Sequence, residues 1–230
     1  MGPLELLALE PPGWGGNLLR GAISTIEIAL LAYSLGILIG LGGAMVKLRG
    51  GRFARGAAEI YTTLVRASPE LLLILLLYYA GTGALKAAFD ITVNGFLAAV
   101  CVLGFVQGAY ATEVLRAAIR AIPFGQVEAA RAYGMGPLLS FRRIILPAMM
   151  PFALPGMANL WMIVVKDSAL ISVVGYSELA LETRQAAGGT KAYITFYLAA
   201  GAIYLSITLF SEQIIRLIER HFRRGMPKLG

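Results

Sequence analysis

The chain has 230 residues, of which 58% are hydrophobic and 14% charged, with a formal net charge of +7 and a mean hydropathy of +0.73. This composition excludes an ordinary soluble domain and indicates an integral membrane protein, and the length calls for one domain over 1–230. The charge does not imply nucleic-acid binding, because the basic residues track the edges of apolar segments instead of gathering on one aromatic-studded face.

The N-terminal stretch 1–16 carries Glu5 and Glu10 and has no basic start. No cleavable leader is expected, and the first apolar segment serves as its own insertion signal. A spanning helix needs about 20 mostly apolar residues. Five segments meet that length within a few residues: 21–46, 71–89, 96–112, 149–165 and 193–210. Gly42-Gly43 and Gly50-Gly51 are expected to bracket the turn out of the first. Glu27 stands less than two turns into the first span, and Glu70 opens the second from its inner end. A charge in an apolar run is costly and is a functional candidate by default. Gln107 and Tyr110 in the third span, like Asn159 in the fourth, serve interhelical hydrogen bonds or a solute pathway. Glu113 and Arg116 close the third span as an i,i+3 pair. The single cysteine, Cys101, allows no intrachain disulfide or cysteine metal site and is expected as a small core residue.

Pro123-Phe124-Gly125 ends the extension of the third span, and Gly125 is expected to relieve the bend. A short helix is expected over 126–133. Glu128, near its start, suits the helix dipole and can accept hydrogen bonds from its own loop or from Arg142 or Arg143. Ala129 and Ala130 are small enough for a partner's groove to close on the backbone, and Tyr133 and Met135 offer apolar contact area. Gly134 supplies a turn that needs positive φ. Pro147, Pro151 and Pro155 recur at i, i+4 and i+8 and remove three backbone donors from one face of the fourth span, which predicts a bent helix.

Lys166-Asp167 then interrupts an otherwise uncharged run over 151–176, in the outer half of the bilayer. Adjacent helical residues point in different directions, so the two cannot both face lipid. Asp167 is either a ligand for a solute's α-amino group or a gate, or half of a structural pair with Lys166. Asp167, Ser168, Lys166, Glu70, Gln107 and Tyr110 together form the candidate substrate pathway or gate. The segment 177–191 holds Glu178, Glu182, Arg184 and Lys191; it is too polar to span and predicts a short helix ended by Gly188-Gly189.

Orientation follows from the positive-inside rule. Lys47, Arg49, Arg52, Arg55 and Arg66 follow the first span, Arg116, Arg120, Arg131, Arg142 and Arg143 the third, and Arg216, Arg220, Arg223, Arg224 and Lys228 end the chain. Arg20, Lys86, Lys166, Arg184 and Lys191 remain for the other side, giving an outer N-terminus and a cytoplasmic C-terminus. No G-x-x-x-x-G-K-[ST] is present, so any nucleotide is hydrolysed elsewhere. The one histidine, His221, has no second histidine or cysteine to form a metal set or a nucleophile pair, and it reads as an interfacial residue near a helix C-terminus.

Glu128-Ala129-Ala130, Gly134 and Ile144-x-Leu146-Pro147 spell EAA-x3-G-x9-I-x-LP between two apolar segments. This pattern resembles the cytoplasmic coupling loop, 123–147 here, of the membrane subunit of bacterial ABC importers. Further residues narrow the resemblance to permeases of polar amino-acid and opine importers, of the histidine/lysine/arginine/ornithine and octopine/nopaline type, over 21–224. They are Thr25-Ile26-Glu27, Tyr61-x4-Arg66-x2-Pro69, Gly108-Ala109-Tyr110-x2-Glu113-x2-Arg116, Pro123-x-Gly125-Gln126 and Lys166-Asp167-Ser168-Ala169-Leu170. Arg66-Ala67-Ser68-Pro69 departs from the usual R-G-T-P, and Glu70 stands where many relatives have leucine.

The resemblance implies an all-α permease with five transmembrane helices, the type I importer fold and a cytoplasmic coupling helix in which Glu128, Ala129, Ala130, Tyr133, Gly134 and Met135 meet the ATPase. It implies two ATPase subunits holding ATP and Mg, a second permease subunit, identical or paralogous, and a periplasmic solute-binding protein docking on an outer surface that includes 177–191. The implied substrate class is polar amino acids, with basic ones or opines favoured because intramembrane carboxylates suit cations. A non-transporting scaffold or sensor that recruits an ATPase is the alternative. An intramembrane enzyme is a third reading, against which the coupling loop argues.

Overall fold

The computed structural model describes residues 2–222; Arg223, Arg224 and Lys228 of the basic tail lie outside them. The described chain is helical, with no strand among those residues. A short α1 (Pro3–Leu6) precedes α2 (Gly15–Arg49), α3 (Arg52–Ala67), α4 (Glu70–Phe89) and α5 (Gly95–Arg120). The loop helices α6 (Phe124–Ala132) and α7 (Pro137–Ser140) lead through a π-helical turn, Phe141–Ile145, into α8 (Leu146–Asp167). A 3-10 segment, Ser168–Val174, then α9 (Leu179–Thr190) and α10 (Tyr193–Phe222) complete the fold. Five stretches are long and apolar enough to cross a membrane: Gly15–Arg49, Glu70–Phe89, Gly95–Arg120, Pro137–Val174 and Tyr193–Phe222.

Helix α5 forms the centre, and α2 packs along it. Small residues allow the approach: a Cβ on Gly36 would stand 2.9 Å from the Gln107 Cβ, and one on Gly40 would stand 2.5 Å from the Ala111 Cβ. Glycines four apart on one face are the means by which helices pack closely in lipid, where burial from water supplies no drive. A core of Ile28, Ile74, Leu103, Val106, Val164 and Ile171 joins α2, α4, α5 and α8, and a second core around Leu115, Met149 and Leu160 continues it toward the loop end of the molecule. Ile74 is the one buried residue of α4, whose leucines at 72 and 76 face outward.

Several local expectations need correction. Helix α2 runs to Arg49, so Gly42-Gly43 lies within it, and the turn is made at Gly50-Gly51 alone. Cys101 is exposed instead of packed in the core; it lies on the outer face of α5, where an apolar thiol is compatible with lipid. The prolines of the fourth span do not interrupt it: after the π-helical turn, α8 continues through Pro147, Pro151 and Pro155, which does not speak against the bend expected there. Gly188 and Gly189 are both inside α9, which ends at Lys191 in the left-handed region (φ 61°).

Two buried polar hubs tie the helices together. Lys47 is 4% exposed, and its ammonium donates to Thr62 Oγ1 and Glu113 Oε1, each at 2.6 Å, and pairs with Glu59 Oε2 at 2.7 Å. All three of its donors are used, linking α2 to α3 and α5. Glu113 pairs with Arg116 as well, as its spacing suggests. Glu178, at the N-cap of α9, is fully buried. Its Oε1 accepts from the Leu181 N–H at 2.9 Å, and its Oε2 from Thr25 Oγ1 at 3.2 Å and Tyr204 Oη at 3.0 Å. Burial pushes this carboxyl up from its ordinary pKa, against the lowering effect of its backbone and side-chain hydrogen bonds. The hub fastens α9 to α2 and α10.

Candidate functional site: a helix break with paired carboxylates, and a loop helix

The break between α3 and α4 falls at Ser68-Pro69, where proline has no N–H to continue the helix. Helix α3 runs antiparallel to α5: Lys47 joins Thr62 to Glu113, and one turn later on α3 Arg66 stands over Tyr110, which comes earlier on α5; Tyr61 Oη also donates to the Phe105 carbonyl at 2.6 Å. The broken end therefore lies against the middle of α5, opposite the last turn of α8. Broken helices at membrane depth, with their ends lining a cavity, are a recurring means of building transport sites.

Charged and polar side chains converge there. Gln107, 1% exposed on α5, donates from Nε2 to Asp167 Oδ2 at 3.2 Å. The Glu70 carboxyl lies near enough to interact with both Asp167 and the Tyr110 hydroxyl. The Arg66 guanidinium stands over the Tyr110 ring, 5.9 Å from its centroid. Of the six pathway candidates, four are brought together: Glu70, Gln107, Tyr110 and Asp167. Lys166 is exposed and has no carboxylate within 4 Å among the described residues, so it forms no ion pair with Asp167. Ser168 is buried and donates to the Val165 carbonyl at 2.7 Å, which makes it a link within its own turn. No cluster of three metal-ligating side chains occurs among the described residues.

The second site is the loop between α5 and α8. Helix α6 starts at Phe124, so Gly125 is helical and makes no bend. Glu128 is the fifth residue of that helix, exposed and without the expected bond to Arg142 or Arg143. The helix ends in a Schellman arrangement. Gly134, at φ 72°, donates to the Arg131 carbonyl at 2.9 Å, and the Met135 N–H donates to the Ala130 carbonyl at 3.0 Å. Ala129 is exposed, whereas Ala130 is 2% exposed and turned into its own loop, so a partner can close on Ala129 alone of the two alanines. Tyr133 is 83% exposed, and Phe124 and Leu138 of the same loop are exposed as well, while Met135 is half-buried. Exposed large apolar side chains grouped on a loop are a general feature of protein-binding surfaces.

Residues 32–224 match the family described as the binding-protein-dependent transport system inner membrane component. The chain belongs to that family. The permease is 39% identical over 231 residues to the octopine transport system permease protein OccQ of Rhizobium radiobacter, covering 97% of this chain and 98% of that one. It is 40% identical over 222 residues to the histidine/lysine/arginine/ornithine transport system permease protein HisQ of Salmonella typhimurium, covering 94% and 97%. A solved amino acid ABC transporter with histidines superposes with a TM-score of 0.77 at 31% identity, over 90% of this chain and 95% of that one. A methionine ABC transporter, MetNI, in an inward-facing form shares the fold at 21% identity and a TM-score of 0.73.

The permease is thus a multi-pass inner-membrane protein with the ABC type I importer fold. Sequence reasoning did not single out Arg66, Phe124 or Leu138 for the sites. Arg66 was visible only as a basic flank and part of a motif, and nothing in its spacing from Tyr110, more than forty positions away, could have paired them. Phe124 was visible beside Pro123 but stood as part of a turn.

Proposed function

We propose that this chain is the translocating permease subunit of an ATP-driven importer that takes polar amino acids, basic ones or opines, from a periplasmic binding protein. The observation that carries the reading is the pair of carboxylates, Glu70 and Asp167, beside the break between α3 and α4. Glu70 and Asp167 have no ion-pair partner within 4 Å among the described residues, so an ammonium or guanidinium group brought by a solute can pair with them directly. The relatives named for octopine and for histidine, lysine, arginine and ornithine support the same class. Charged groups at the open side of α4 and α8 cannot face lipid, which supports a second permease subunit covering them. Residues 1–230 act as one transmembrane permease domain.

ATP and Mg are held by two separate ATPase subunits, which seat on Ala129, Tyr133 and the turn at Gly134, with Glu128 at the rim and Ala130 and Met135 supporting the turn from within. The N-terminus and α9 lie outside, and the C-terminus in the cytoplasm, as the basic flanks favour. Purification of the assembly from its native membrane, with mass spectrometry of the co-eluting subunits, is expected to recover an ATPase. In a Cys101→Ala background, Glu182→Cys is expected to react with an impermeant thiol reagent from outside, and Gln126→Cys only after permeabilisation. Labelling of Gln126→Cys alone in intact cells would overturn the orientation and the ATPase-facing role of the loop.

A further inference from the structure

We propose that a cavity between α2, α8 and α10 holds an acyl chain of an anionic phospholipid of the inner leaflet, whose headgroup sits at the basic last turn of α10. The cavity has a volume of about 270 Å³, and its lining includes Leu30 and Tyr33 of α2, Leu154 and Trp161 of α8, and Ser211 and Ile218 of α10. Its wall is nearly all apolar. The Tyr33 and Trp161 rings meet edge to face at 5.5 Å, and the Tyr33 hydroxyl is spent on the Met157 carbonyl at 2.9 Å. Water held in a cavity needs roughly two to four polar partners, whereas an apolar cavity of roughly 150 Å³ stays dry and admits benzene. An apolar occupant therefore suits this larger space. Leu30, Ile214 and Ile218 on its rim are exposed, so the occupant enters from the side.

Depth and charge identify the occupant, and the leaflet follows from the orientation proposed above. A span crosses the hydrocarbon in about 20 residues, so with Arg20 at the outer edge of α2 the inner edge falls near Gly40 and Leu30 lies near the midplane. The cavity thus runs from the midplane toward the cytoplasmic edge. His221 follows Ile214 by seven positions and Ile218 by three, on the same face of α10. Arg220 shares that last turn, and the sequence continues with Arg223 and Arg224. Basic residues at the cytoplasmic end of a crevice between spans favour an anionic lipid headgroup. A protein partner suits the opposite flank of the same helix pair. There Asn159, Thr208, Glu212, Arg216 and Glu219 line a separate groove of about 360 Å³, and charged groups at that depth do not face lipid. The apolar flank is left for lipid. Helix α10 also lacks packing of its own: Phe196 and Ala200 are its only buried side chains among the described residues, and a chain seated in the cavity completes the contact of its later turns with α2 and α8.

In the test, the detergent-purified permease–ATPase assembly is delipidated and titrated with phosphatidylglycerol or phosphatidylethanolamine carrying the same acyl chains. Retained lipid is counted by native mass spectrometry, and Tm is followed. Phosphatidylglycerol is expected to be retained about fivefold better, the worth of one basic residue near the surface, and to raise Tm. Leu154→Phe combined with Ser211→Leu, which fills the cavity, is expected to lose both the retained lipid and the rise in Tm. Arg220→Gln combined with His221→Gln is expected to retain the two lipids equally. A wild type that retains no lipid, or retention undiminished when the cavity is filled, overturns the site. Equal retention of the two lipids by the wild type overturns the headgroup assignment. In native membranes, a benzophenone side chain in place of Leu30 is expected to crosslink to phospholipid, and crosslinking to a protein would make the cavity a subunit interface instead. The crosslinking needs no filled variant, so misfolding of one does not shelter the proposal.

Discussion

Asp167→Asn is expected to cut transport by at least about 30-fold without disturbing assembly. Asparagine keeps the size of the side chain, and its Oδ1 can still accept the hydrogen bond that Gln107 Nε2 donates at 3.2 Å. The joint between α5 and α8 therefore survives. The charge is lost, and with it the partner of a cationic group desolvated beside Glu70 and Gln107. Removing one member of a buried, hydrogen-bonded charge pair costs about 2–5 kcal/mol, which sets the lower bound on the loss in uptake at roughly 30-fold. Because Lys166 forms no pair with Asp167, the variant leaves no stranded lysine, and co-elution of the subunits should be normal. Initial uptake rates as a function of solute concentration, measured alongside the yield of assembled complex, decide the matter. Unchanged affinity and rate in an assembled variant would remove Asp167 from the pathway.

The other large effect is expected at Gly134. Its φ of 72° lies in the left-handed region, and no neighbouring atom lies within 4 Å of where a Cβ would be. The penalty for a side chain here comes from the backbone and not from a clash. A β-branched residue in that conformation costs about 1–2 kcal/mol or more, and α6 has nine residues with which to resist it. So short a helix has little stability of its own, and loss of the Arg131 and Ala130 carbonyl bonds would let its end fray. Gly134→Val is expected to insert normally in the membrane while losing most ATPase association and transport. Gly134→Asn, which tolerates positive φ, should retain both. Pull-down of the ATPase from detergent extracts gives the reading, and wild-type recovery with Gly134→Val would show that the turn is not what presents α6.

What the sequence made legible divides by range. The five spans follow from runs of apolar residues, and the turn at Gly134 follows from one residue type with one permitted conformation; both are local properties. Their ends were less legible, since α2 extends from Gly15 to Arg49 and α5 to Arg120, past the apolar windows. Helix α3 escaped notice because it mixes Arg52, Arg55, Glu59 and Arg66 with Phe53, Ile60 and Leu64, too polar for a span. Its charges are tolerated because Glu59 and Thr62 are bound by Lys47 from α2, a partner no spacing rule could identify.

The same limit applies at the sites. Glu70, Gln107, Tyr110 and Asp167 stood out as polar residues in or beside apolar runs, but their convergence is a tertiary fact that depends on the break at Pro69 and on the close approach of α2 to α5. Glu178 looked like one charge of a solvated outer segment and is instead a buried cap, because Thr25 and Tyr204 come from helices far along the chain. Ala130 looked equivalent to Ala129, and only the packing of the loop decides that one is buried and the other exposed.

Reconstitution gives the most direct test. The permease is purified with its co-eluting subunits, placed in proteoliposomes, and supplied with labelled L-arginine, L-histidine, L-lysine or octopine, with ATP on the coupling-loop side and the binding protein on the other. Import is expected for at least one of these solutes, dependent on both ATP and binding protein and lost with Asp167→Asn. ATP hydrolysis by an intact, binding-protein-stimulated assembly that accumulates none of the solutes would contradict the account.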